Sequence, residues 1–166
     1  MRYFLENTDR LQSSDATFIY DPELSDFSSV SSDIAHFLKE QKVIFKLELN
    51  GISIPVGLWG DFPYFLDAFE GYAEFLFDDE TDDYSIFLLE QGIETVIHLD
   101  KLDKHTRISE HKFLRGTYLK PLESLKSDAT NFFYHLNELV EQNIPSVARE
   151  HLYTTWKENL YNLLPR

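Results

Sequence analysis

The stretch from residue 42 to residue 51 restricts what this chain can fold into more than any other. Apolar and mostly charged residues alternate along residues 42–49, which is the period-two pattern of a strand with one buried face. Asn50-Gly51 follows directly, and this dipeptide favours the tight turn of a β-hairpin. We predict a return strand over residues 52–59, with Pro55 at an edge or a bulge because proline has no N–H to donate. The predicted buried face holds Val43, Phe45, Leu47 and Leu49.

A second hairpin is predicted over residues 84–90 and 93–99, where two apolar runs flank Gln91-Gly92. Strands joined by turns this short pair in antiparallel fashion. Together the two hairpins predict about four antiparallel strands.

Helical spacing dominates three other regions. Residues 61–77 are predicted as a helix with Asp61 as N-cap, and from Pro121 onward two amphipathic helices form a hairpin broken at Asn143-Ile144-Pro145. A shorter helix is expected after a loop at Ser25–Ser32, capped by Ser31 or Ser32. The sequence assigns no regular structure to the rest of residues 1–30, and leaves residues 101–120 open between a further strand and a loop.

These elements predict an α+β fold in which an antiparallel sheet of four or more strands, built from the two hairpins, packs with an acidic amphipathic helix and a C-terminal helical hairpin. Hydrophobic residues make up 43% of the 166 residues, enough for a sizeable core. No linker divides the chain, so residues 1–166 are expected to form a single domain.

Charge is segregated along the chain. From Leu47 to Asp100 there are thirteen Asp and Glu residues and no Lys or Arg, and residues 1–100 carry a net charge of −16 against +2 for residues 101–166. A surface charged in this way accelerates association with basic partners and repels nucleic acid and anionic lipid.

The predicted 61–77 helix concentrates this charge in a stripe. Like charges three and four residues apart destabilise a helix by roughly 0.2–0.5 kcal/mol per pair, and the acids after residue 77 meet the negative end of the helix dipole. Stability alone does not favour this arrangement, so we predict a partner-binding surface with two aromatic neighbours. Its residues are Trp59, Tyr64, Asp67, Glu70, Glu74, Asp78, Asp79, Glu80, Asp82 and Asp83.

Two other interpretations of the acidic tract are open. It could be a solvated face that keeps the protein soluble. The run from Asp78 to Asp83 could also bind a cation, but the sixth and twelfth positions counted from Asp78 are Asp83 and Leu89, where an EF-hand needs Gly and Glu. We therefore expect no dedicated metal site.

Catalysis has no positive support in the sequence. There is no cysteine, the six histidines show no paired-ligand spacing, and no nucleophile-elbow or phosphate-binding motif occurs, so we expect no catalytic residue and no cofactor. A triad dispersed along the chain stays open. The basic residues of 101–120 could bind an anion or compensate the acidic half; at a net charge of −14 we expect neither nucleic-acid nor membrane binding. Without cysteines, a signal-peptide pattern or a membrane span, we expect a cytoplasmic protein.

Its small size, acidity and lack of cysteine, together with the acidic face at Asp67, Glu70, Glu74 and Asp78–Asp83, give the chain a class-level resemblance to immunity proteins of bacterial contact-dependent or polymorphic toxin systems. The resemblance implies a non-enzymatic module that neutralises a basic toxin such as a nuclease. Two alternatives are a phage-type inhibitor or nucleic-acid mimic, and a structural or regulatory subunit that associates through the aromatic C-terminal helices, with Tyr153, Trp156 and Tyr161.

Overall fold

The computed structural model describes residues 1–14, 16–21, 23–89 and 94–165, and in them seven strands and six α-helices form an α+β fold, which confirms the predicted class. The strands are β1 (Arg2–Glu6), β2 (Ile44–Leu49), β3 (Ile52–Ile54), β4 (Asp83–Leu88), β5 (Thr95–Leu102), β6 (His105–Glu110) and β7 (Gly116–Pro121). The helices are α1 (Phe27–Glu40), α2 (Asp61–Asp67), α3 (Phe69–Phe77), α4 (Leu122–Asn143), α5 (Pro145–Ala148) and α6 (His151–Leu163). A short 3-10 helix, Thr8–Arg10, follows β1.

The first sheet has the antiparallel order β1-β2-β3. The predicted turn is confirmed: Leu49 pairs with Ile52, and Asn50 and Gly51 have φ values of 49° and 79°, the positive angles that a two-residue hairpin turn requires. The predicted return strand was too long, because β3 ends before Pro55 and the chain then bends into α2. β1, which the sequence did not assign, pairs with β2 along its whole length.

The second sheet has the order β4-β5-β6-β7. The two predicted hairpins therefore lie in different sheets, and residues 101–120 supply β6 and β7. The turn expected at Gln91-Gly92 lies outside the described residues. One face of this sheet is buried against the helices through Ile86, Leu88, Ile97, Leu99 and Ile108.

Helix α1 begins earlier than predicted. Asp26, not Ser31 or Ser32, is the N-cap, since its carboxylate accepts the backbone N–H groups of Ser28 and Ser29. Most of the segment expected as a loop is thus the first turns of a helix. Ser31 is fully buried on its packed face.

The predicted 61–77 helix is divided at Ala68 into α2 and α3. Asp61 lies one residue inside α2 and does not cap it; its buried carboxylate accepts the N–H groups of Gly57 and Leu89, both at 2.9 Å. This side chain ties the start of α2 to the preceding turn and to the end of β4.

An aromatic cluster joins the helices to the first sheet. Tyr3, Phe65, Phe69 and Phe132 lie with ring centroids 5.0–6.2 Å apart, and pairs of this kind contribute roughly 0.5–1.5 kcal/mol beyond the area they bury. Trp156 of α6 extends the cluster by contact with Phe69. The core therefore draws on both ends of the chain.

Candidate acidic groove

A groove of about 500 Å³ lies between the N-terminal end of α1, the junction of α2 and α3, and one face of α6. Three carboxylates line it, and within the part of the chain that the structure describes no Lys or Arg does so. We call this the acidic groove. Its lining residues are Asp26, Phe27, Ser28, Asp67, Glu70, His151, Leu152, Thr155, Trp156 and Asn159.

Asp67 reaches the groove from the last residue of α2. Its Oδ1 accepts a hydrogen bond from the Ser31 hydroxyl at 3.0 Å, which joins α2 to α1. Partial burial raises the pKa of Asp67, the Ser31 hydrogen bond opposes that rise, and the nearby charge of Asp26 adds to it. The ionised form is therefore disfavoured by burial and by a like charge together.

Asp26 enters the groove as the N-cap of α1. The hydrogen bond from the Ser28 hydroxyl and those from the backbone hold the pKa of Asp26 below its usual range, so this carboxylate is ionised at neutral pH. Its capping role and its place in the groove both follow from the turn at the start of α1.

Glu70 comes from the first turn of α3. Its Oε1 accepts a hydrogen bond from the side-chain amide of Asn159 at 2.9 Å, which joins α3 to α6. The floor is aromatic, because Phe27 and Trp156 stack with centroids 4.8 Å apart and planes 14° from parallel. Carboxylates around an aromatic floor suit a cationic side chain, which both groups attract.

The two predicted aromatic residues lie at the N-terminal end of α2. Trp59 is 57% exposed, and it packs on α1 with the Lys39 ammonium 4.9 Å above its ring and the His36 ring 5.8 Å away. Tyr64 is 56% exposed and precedes Asp67 by three residues on α2. Both are accessible, but neither lines the acidic groove.

The remaining predicted acids form a second group at the end of α3. The Lys101 ammonium donates to the Asp78 carbonyl oxygen, and the Asp78 carboxylate accepts the N–H of Glu80. Burial lowers the pKa of Lys101 even though Asp79, Asp78 and Asp82 lie close to it. A half-buried cation thus lies beside the end of α3 and offsets the helix-dipole penalty that the sequence suggested.

Asp83 and Glu74 complete the set. Asp83 is in β4 opposite Asp100, whose carboxylate pairs with Arg107 at 3.1 Å. Glu74 is exposed near Tyr84, where burial first and this charge second raise the pKa of Tyr84 to about 12. The predicted single patch is therefore divided: Asp67 and Glu70 lie in the acidic groove, Asp78, Asp79 and Asp82 lie near Lys101, and Glu74 lies beside Tyr84.

The sequence missed the groove residues outside α2 and α3. The predicted loop over residues 25–32 includes Asp26, although an Asp before an apolar helical pattern indicates an N-cap. Thr155 and Asn159 are one helical turn apart on α6, beside the predicted apolar stripe. That α6 lies against α3 is a tertiary fact, with no local sequence signal.

Other chemistry finds little support in the described residues. Within them, no group of three or more His, Cys, Asp or Glu side chains could hold a metal ion. The Ser85 hydroxyl lies 3.0 Å from His98 Nδ1, but both are on the outer face of the second sheet. Across the described ranges, no helix combines the length and the apolar character needed to cross a membrane.

Comparisons of the chain with protein-family models, with curated proteins and with solved structures gave no match.

Proposed function

We propose that this chain is a non-enzymatic acidic protein-binding module that neutralises a basic partner, in the manner of an immunity protein that inhibits a toxin such as a nuclease. One observation carries the proposal: Asp26, Asp67 and Glu70 line a groove with no Lys or Arg among its described lining residues. A partner's Lys or Arg would supply the missing countercharge, and the partner would be neutralised by having its basic surface covered.

The energetics favour such a complex. The net charge of −14 steers a basic protein toward the chain, and this steering weakens as salt rises. Close charge pairs across interfaces of this kind couple by roughly 1.5–7 kcal/mol, as measured for a nuclease and its acidic inhibitor. A phage-type inhibitor or nucleic-acid mimic would use the same surface. The chain has no cysteine, which is compatible with the reducing cytosol, and we propose that it acts there.

The subunit alternative loses much of its proposed interface. Tyr153 and Trp156 are buried inside the chain, and Tyr161 is half-buried, with its ring against Phe133 and its hydroxyl accepting a hydrogen bond from Asn137. The aromatic residues of α6 therefore pack within the fold, and we do not favour self-association through them.

The test is affinity capture from source-cell lysate at low and high salt, with captured proteins identified by mass spectrometry. Asp67→Asn with Glu70→Gln removes two charges from the acidic groove at nearly constant shape. Asp9→Asn with Glu138→Gln is the matched control, since these two acids line a different groove beside α4. Both variants change the net charge equally.

We expect the wild type and the control to retain the same basic protein at low salt and release it at high salt, and the groove variant to lose it. The captured partner, once purified, should bind the groove variant at least tenfold more weakly than it binds the wild type. If the groove variant and the control behave alike, the acidic groove is a solvated surface and the proposal fails.

A further inference from the structure

The chain leading into α1 is fixed against the helices by polar contacts. The N–H of Ser14 donates to the Asn143 carbonyl oxygen at 2.8 Å, and the Ser146 hydroxyl donates to that of Ala16 at 2.7 Å. The Tyr20 hydroxyl donates to Asp33 Oδ2 at 2.8 Å. We call the described residues 16–21 and 23–26 the N-terminal strap.

Two large apolar side chains of the strap point into solvent. Ile19 is 92% exposed and Leu24 is 84% exposed, the highest values for large hydrophobic residues in the described part of the chain. Phe18 and Tyr20, which flank Ile19, are partly buried against the core. A single exposed apolar side chain needs no explanation. Two large ones on one anchored segment, with no contact to the core that the structure describes, are typical of an interaction site.

Hydrogen bonds hold the backbone on both sides of Leu24. Asp21 accepts hydrogen bonds from the N–H groups of residues 23, 24 and 25, and its own N–H donates to the Ser25 hydroxyl at 2.9 Å. On the other side, Tyr20 anchors the backbone next to Ile19. A backbone held in this way loses little conformational freedom on binding, which favours affinity.

The strap adjoins the acidic groove at its C-terminal end. The strap ends at Asp26, which lines the groove, and Tyr20 lies close enough to Glu150 for that charge to help raise the pKa of its hydroxyl, after burial and Asp33. His151, the residue after Glu150, also lines the groove. From Leu11 to Leu38 the sequence contains five acids and no Lys or Arg.

We propose that the strap is a docking element that inserts Ile19 and Leu24 into an apolar cleft of a basic protein, while the acidic groove binds a Lys or Arg at the rim of that cleft. This inference rests on the proposed function and specifies the partner's chemistry.

The negative charge of the strap and the acidic groove favours a basic protein over the other possible partners. A second copy of the chain would bring two strongly acidic segments together, and an anionic membrane would repel them. A cleft rimmed by cations complements both the apolar and the acidic parts of the surface. The two parts then contribute differently: carboxylates speed association in a salt-dependent way, and buried apolar side chains slow dissociation.

The test places a photo-crosslinking amino acid at one position of the full chain at a time, in source-cell lysate. Positions 19 and 24 report on the strap, position 155 reports on the acidic groove, and exposed position 123 on α4 is the control. Crosslinked proteins are identified by mass spectrometry. The crosslinking is then repeated in the presence of an unlabelled competitor that carries no photo-crosslinking group. The competitors are the wild type, the strap variant Ile19→Ala with Leu24→Ala, and the matched variant Phe87→Ala with Leu119→Ala.

We expect one basic protein to crosslink from positions 19, 24 and 155 and not from 123. The strap variant should need a concentration about tenfold or more higher than wild type to suppress the crosslink, as for the loss of interface hot spots. Its melting temperature should equal that of the wild type. The matched variant of Phe87 and Leu119, which are 55% and 59% exposed on the second sheet, should compete like wild type.

The two proposals fail separately. Crosslinks from position 155 alone, or equal competition by the strap variant, would overturn the docking role and leave the proposed function standing. Crosslinks from 19 and 24 to a protein that still binds Asp67→Asn with Glu70→Gln at full strength would overturn the proposed function. No crosslink at any of the three positions would overturn both.

Discussion

Glu110 is a fully buried residue whose carboxylate accepts hydrogen bonds from the β6–β7 connection and from β5. It accepts the N–H groups of Lys112, Phe113 and Leu114 at 2.6–2.7 Å and the hydroxyl of Thr95. Burial works to raise the pKa of Glu110, but these hydrogen bonds outweigh it and hold the pKa below its usual range. One side chain therefore fixes the turn between β6 and β7 and joins it to β5.

Glu110→Gln should destabilise the protein by about 2 kcal/mol at neutral pH, because an amide cannot accept all four hydrogen bonds and leaves a buried donor unpaired. The folded pKa lies below the unfolded value of about 4.3, so the stability from ionised Glu110 is complete above that pH and is lost as the pH falls through the folded pKa. Denaturant unfolding from pH 7 to pH 3 measures both effects.

The acid-induced loss of stability should be smaller in Glu110→Gln than in the wild type. Glu123→Gln is the control, since the Glu123 side chain is 82% exposed. Identical pH profiles for the wild type and Glu110→Gln would show that the Glu110 charge does not hold this turn.

At the level of elements, the two tryptophans contribute very differently to the free energy of unfolding. Trp156 is 5% exposed and joins α6 to α1 and α4 through Phe27 and Phe133. Trp156→Ala should cost about 3–5 kcal/mol, as for large core truncations. Trp59→Ala should cost about 1 kcal/mol or less, because it loses an exposed ring and one cation–π contact. Urea unfolding compares the two; equal losses would contradict the assignment of α6 to the core.

The helices and strands that can be predicted from the sequence are those whose residues form a clear local pattern of apolar and polar positions. β2, its turn and the C-terminal helices follow from spacing, because one buried face leaves a period in the sequence. The start of α1 and the strand β1 were missed because Ser-rich helix turns and a five-residue strand carry weak local patterns. Asp67 and Glu70 are predicted from the spacing along their helix, but their hydrogen-bond partners Ser31 and Asn159 are 36 and 89 residues away.

Across the whole molecule, one hydrophobic cluster extends from Met1 to Leu164. Residues 121–166 contribute Phe132, Phe133, Trp156 and Leu160 to it. A fragment of residues 1–120 should therefore not fold, since Tyr3, Phe65 and Phe69 would lose their packing partners. Circular dichroism with thermal unfolding tests this. A cooperative transition in the fragment would contradict the expectation of a single domain.

Charge is also organised at this scale. Lys101 lies among the loop acids, Arg107 pairs with Asp100, and Lys120 pairs with Asp128, so bases from 101–120 compensate acids near them. For Lys101 and Arg107 this is the predicted compensation of the acidic half, whereas Asp128, the partner of Lys120, lies outside that half. The compensation does not extend to the acidic groove, which keeps its three carboxylates without a Lys or Arg among its described lining residues.

The stack of Trp156 on Phe27 makes the acidic groove its own optical reporter. A chain with two tryptophans becomes a single-tryptophan protein through Trp59→Phe, and the remaining indole lies in the groove floor. A guanidinium or ammonium group entering the groove would change the field around that indole and shift its fluorescence emission. Occupancy of this site can thus be followed in solution without attaching a dye to the protein or to its partner.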